Sequence, residues 1–154
     1  DWLTTLDGHR PDPWEVPYID FLSGIWNFDP KLLSHLEKVL LGTDPELYPP
    51  LRADYILNIL SPQMELWAKV FSRDAAVANQ GLLDQQTLRH DWHEALDEDT
   101  YNSIMEYIDL GALAAASYMN DMGLPVTVKS DYLPDFLIKG DFPKLEWPDP
   151  AWKA

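Results

Sequence analysis

Apolar residues recur along this chain at three- and four-residue spacing, and the breaks between such runs are clearly punctuated. Asp29-Pro30 supplies an N-cap and a first-turn proline. Leu32, Leu33, Leu36, Val39 and Leu40 follow at helical spacing, and Gly42 closes the run. Pro49-Pro50 opens a second helix with Leu51, Tyr55, Ile56, Ile59 and Leu60 on one side. Ser61-Pro62 predicts a new start, with the stripe Leu66, Trp67, Val70, Phe71, Ala75 and Ala78 ending near Gly81. Asp84 then opens a helix that turns Leu88, Trp92 and Leu96 inward. A long helix is predicted from Glu98 to Met122, its stripe running from Tyr101 through Ile108, Ala112 and Ala115 to Met119, stopped by Gly123 and Pro125. A weaker helix spans Pro17 to Phe28, interrupted by Gly24. Val126-Thr127-Val128 is strand-like but too short to found a sheet, and one helical turn is expected around Tyr132 to Leu137.

These elements add up to an all-α fold: a single helical domain of five to six helices spanning residues 1–154. Its helical core is residues 17–123, with an extended N-terminal arm at 1–16 and a mostly irregular C-terminal arm at 124–154. Prolines gather in both arms, and so do Trp2, Trp14, Trp147 and Trp152. Proline lowers the entropy an extended arm loses on docking, and tryptophan gives it apolar area to bury. The arms are therefore expected to pack, against the body or against a neighbouring chain.

The 154 residues include no cysteine, which excludes disulfides, thiolate metal sites and cysteine nucleophiles. Twenty-six acids face eleven bases, a net charge of −15, which argues against nucleic-acid binding. Segment 84–109 is the most acidic: eight acids and Arg89. Such a stretch reads as a solvated face or as a docking face for a basic partner. No run reaches the ~20 apolar residues a membrane span needs. The expected location is soluble: cytoplasmic first, with secretion or a periplasmic location after signal removal as the alternative, since the chain starts at Asp1.

Known catalytic signatures fail one by one. There is no glycine-rich phosphate loop and no Gly-x-Ser-x-Gly elbow. The residues three before His9, His35, His90 and His93 are Leu6, Leu32, Thr87 and His90, so the di-iron Glu-x-x-His pattern is missing. Asp97-x-Asp99 lacks the later glycine and acid of a calcium loop. The best chemical constellation is His90, His93 and Glu94. At i, i+3 and i+4 on a helix they are neighbours, able to run acid–base chemistry or to contribute ligands to a transition metal. His9, His35, Asp20 or Asp135 would then complete a metal shell. Asp109 borders an Ala-rich run, Gly111 to Ser117, that suits close helix packing or leaves room beside it for a flat ligand.

The expected function is a helical partner-binding subunit of a multi-chain complex, without catalysis of its own. Its partner is another protein, or further copies of itself in a homo-oligomer. Nucleic acid and membrane insertion are not expected, and no cofactor is indicated. The alternative is a small helical enzyme or ligand-binding protein, its site at His90, His93 and Glu94 and its ligand small and apolar.

Overall fold

The computed structural model describes residues 11–95 and 108–141. Helix α1 spans Glu15–Asn27 and α2 spans Leu32–Gly42, paired as a hairpin. A short 3-10 turn at Pro45–Leu47 leads to α3, Pro50–Tyr55. A π-helical segment, Ile56–Leu60, joins α3 to α4, Ser61–Phe71. Then come α5, Ala75–Glu94, α6, Leu110–Asp121, and the short α7, Asp135–Lys139. No strand occurs among the described residues. The protein is an all-α domain. Trp2, Trp147, Trp152, His9, Leu96, Asp97, Glu98, Asp99 and Tyr101 lie outside the described residues.

Helix α4 is the centre. It packs on α2, α5 and α6, and α7 closes on α6. Met64, Leu66, Trp67 and Val70 of α4 are essentially inaccessible, as are Phe21 of α1, Val39 of α2 and Leu82 of α5. Trp67 stacks on Phe71 at 5.8 Å between ring centroids and meets Phe21 and Tyr118 edge-on. Such pairs add about 0.5–1.5 kcal/mol each beyond the area they bury.

Several predicted boundaries move, each for a local reason. Gly24 does not interrupt α1. It is buried there, and a Cβ on it would come within 3.1 Å of Leu32, so it lets α2 approach. The break at Ser61-Pro62 is replaced by the π segment. Pro62 has no N–H for the carbonyl four residues back and its ring crowds that position. The wider turn absorbs both, with Ser61 N–H donating to the Ile56 carbonyl five residues earlier. The helix expected to end near Gly81 ends at Phe71 instead. Arg73 turns the chain with φ 59°, and the Asp74 carboxylate accepts from the Ala76 and Val77 amides to start α5. Gly81 is interior to α5, tucked against Lys69 and Leu66 of α4. This shifts the inward stripe to Ala78, Leu82, Gln85 and Gln86, and leaves Leu88 39% exposed.

The long helix predicted from Glu98 does not run through Asp109. That residue is extended (ψ 91°), and α6 begins after it. In α6, Ala112, Ala115 and Ala116 are fully buried, as close helix packing requires. Beyond α6, Val126–Val128 lies along α5 without pairing to a strand. The Asn79 side chain supplies the missing partners, donating to the Pro125 carbonyl and accepting from the Thr127 and Val128 amides. Leu133 and Ile138 anchor the described part of the C-terminal segment in the core.

Candidate functional site

The most buried charge is Asp109, 2% exposed. Its position follows from local sequence. An aspartate before Leu-Gly-Ala-Leu-Ala is a natural N-cap, and Oδ1 accepts from the Ala112 amide at 3.0 Å. Oδ2 accepts from Gln85 Nε2 at 3.0 Å and Gln86 Nε2 at 2.9 Å. Arg89 Nε stands 3.9 Å from the same oxygen. The Gln86 carbonyl oxygen in turn accepts from Ser130 Oγ. One carboxylate thus ties α5, α6 and the C-terminal segment together. A buried carboxylate persists only when such donors replace water.

Asp109 and Arg89 also line a cavity of about 330 Å³. One wall is aromatic: Trp14, Tyr18, Tyr55 and Trp67. Gly111 and Ala114 also line the cavity, and the Gln63 side chain lies over Gly111, where a Cβ would meet it. Gln63 donates to the Tyr18 hydroxyl at 2.7 Å. Burial pushes the Tyr18 pKa up to about 12. The Arg52 guanidinium lies 5.5 Å from the ring centroids of both Trp14 and Tyr55, held there by Asp12 and Glu15. The indole N–H groups of Trp14 and Trp67 are buried and make no hydrogen bond among the described residues. This volume is within the range of small-molecule sites.

The predicted trio behaves differently. His90 and Glu94 form a pair at 3.3 Å on the outside of α5, with their side chains 51% and 66% exposed. His93 is turned away from solvent, its ring edge-on to Trp92 at 5.1 Å and both ring nitrogens buried. Trp92 donates to Asp54. The proposed further ligands lie elsewhere: His35 pairs with Asp29, Asp135 with Lys129 and Lys139, and Asp20 is exposed on α1. Among the described residues, no three His, Asp or Glu side chains are grouped to hold a metal. The Asp109 cluster is what the sequence reading missed. Its signal was present: Gln85, Gln86 and Arg89 continue the helical stripe of Ala78 and Leu82 with polar side chains.

A second surface stands out at the turn between α1 and α2. Trp26 is 75% exposed and Phe28 88%. Phe28 has φ 52°, a left-handed conformation that a side chain of this size rarely adopts. Leu33, 66% exposed, begins the return helix and borders an apolar cleft with Phe71, Tyr118 and Met122.

The chain thus combines a helical body, two solvent-facing aromatics at one turn and a net charge of −15, and a family comparison places it further. A model of immunity proteins matches residues 1–137, and the chain belongs to that family, immunity protein 49. The family description points to an immunity-type or protein-interaction role. No curated protein and no solved structure matches the chain. No helix among the described residues is long and apolar enough to cross a membrane.

Proposed function

We propose that this chain is the protective half of a toxin–immunity pair, a protein that silences a cognate toxin by binding it and performs no chemistry of its own. The family match over residues 1–137 carries this reading. The surface supports it. Exposed Trp and other aromatics are the residue types that anchor interfaces. Phe28 keeps a strained backbone in a position where its ring gains no burial, and such strain concentrates at functional sites. With a net charge of −15, the partner face best suited to this protein is basic, and opposite charge speeds the encounter. Toxin–immunity complexes include some of the tightest known.

The test is co-expression with the toxin encoded beside the chain in its source genome. The expected result is restored growth and a stable complex on size-exclusion chromatography with light scattering. Continued toxicity at matched protein levels, with no complex, would overturn the reading. The same light-scattering run on the chain alone separates a monomer from a homo-oligomer, in which the α1–α2 tip would be spent on self-association.

A further inference from the structure

The cavity beside Asp109 has an unbalanced set of polar groups. Its donors outnumber its free acceptors. Trp14 and Trp67, 9% and 2% exposed, each hold an indole N–H without a hydrogen-bond partner among the described residues. Indole nitrogen can only donate. Tyr18 accepts from Gln63, which leaves its own hydroxyl proton to give. A tyrosine hydroxyl already holds its proton at neutral pH, and burial raises its pKa further, to about 12. The one carboxylate is already committed: Asp109 accepts from Gln85, Gln86 and the Ala112 amide. Its charge stands against Arg89, so the pair offers no strong net field to an ion. The space is lined largely by aromatic rings, with Ala114 and the Gln63 amide, which covers Gly111, among the other lining groups. Buried donors without acceptors are rare in folded proteins and call for an occupant.

We infer that this cavity is a binding site for a small, planar, uncharged molecule bearing carbonyl-type acceptors, which take the Trp14 and Trp67 indole protons while the ring stacks against the aromatic lining. The selection follows from the chemistry. Carbonyl oxygens answer the two indole donors, and a flat ring is the shape that the aromatic lining can stack against. This inference is separate from toxin binding, since it rests on the interior of the domain and not on the α1–α2 tip. The apolar cleft at Leu33 carries no comparable reading, because its lining offers Arg73 as the sole charged group.

The experiment is a nitrogen-15 NMR titration of the full chain, following the tryptophan indole N–H signals, which Trp14→Phe and Trp67→Phe assign by loss of one peak each. Isatin and phthalimide serve as planar dicarbonyl probes, and indole as the planar control without a carbonyl. The expected result is saturable shifts of the Trp14 and Trp67 peaks with both dicarbonyls at millimolar concentration or below, and binding of indole weaker by about tenfold or more. Trp14→Phe, which keeps a ring and loses the donor, weakens isatin by about tenfold. Ala114→Leu, at an exposed position of the cavity lining, blocks it while leaving the thermal unfolding curve in place. The inference is overturned if neither peak moves, if indole binds as well as the dicarbonyls, or if Ala114→Leu binds isatin unchanged. Unmoved indole peaks would mean that the cavity holds water alone.

Discussion

Replacing Asp109 by alanine removes one acceptor from several donors at once. The cap on α6 is lost, which costs about 1 kcal/mol on its own. The Gln85 and Gln86 amides lose the oxygen they share, and a buried donor left unsatisfied costs about 1–3 kcal/mol. The Arg89 guanidinium, 11% exposed, loses the carboxylate beside it. Losses of this kind around one buried charge total about 3–5 kcal/mol, a large share of the stability of an ordinary domain. For a chain of this length that corresponds to a fall in Tm of about 6–20 °C. Urea unfolding followed by far-ultraviolet circular dichroism gives the value directly. Asp109→Asn keeps the shape and an oxygen for the cap, and is expected to lose less than half as much. The reasoning fails if Asp109→Ala unfolds within 1 kcal/mol of the parent, or if the asparagine variant is the worse of the two.

Phe28→Gly should leave the domain equally stable or raise its stability by up to about 1 kcal/mol, since glycine accepts φ 52° without strain, while weakening toxin binding; unchanged affinity would remove Phe28 from the interface. Gly42→Ala should destabilise by about 1–3 kcal/mol, because its Cβ would lie 2.8 Å from the Trp14 backbone nitrogen, which cannot step aside like a side chain; a neutral result in the same urea assay contradicts that packing. His90→Ala should change stability by no more than about 0.5 kcal/mol, its pair with Glu94 being exposed; full protection against the toxin by this variant and by His93→Ala would retire the acid–base reading of the trio. Asp84 is held below the ordinary 3.8 by the Gln80 amide and then Lys69, and Asp135 by Lys129 and then Lys139. Their contributions are complete above that ordinary value and disappear as pH falls through the lower folded values. Acid unfolding should therefore steepen below about pH 4, and Asp84→Asn should flatten that limb; an unchanged pH profile excludes the ion pairs as a cause.

The helices were readable where chain chemistry and packing agree. Pro50 opens α3 as expected, because a first-turn proline acts through its own backbone; Gly42 also falls at the end of α2, but there it makes room for the Trp14 backbone. The misplaced boundary at Gly81 shows the opposite case. Glycine there serves the approach of Lys69 and Leu66, a fact about a different helix. The real stop, a left-handed Arg73, has no sequence signature, although Asp74 before Ala75-Ala76 has one. The site was harder still. Asp109 borders the Ala-rich run in the sequence, yet its partners sit 23 and 24 residues earlier on α5. Periodicity alone favoured Leu88 over Gln85 as an inward residue. Only the true start of α5 and the donors needed at Asp109 reverse that preference.

The π segment at Ile56–Leu60 behaves as an extra residue folded into an otherwise ordinary rod. Each residue of an α-helix advances the side chains by 100°, so that single insertion sets the angle between the two halves. On one side of it, Tyr55 meets Trp92 and Arg52 reaches Asp12; on the other, Trp67 and Val70 enter the core. Deleting one residue from this stretch would straighten the helix locally and swing one set of partners off target by about a quarter of a turn. The chain should thus tolerate substitutions along the exposed side of the rod far better than any change in its length.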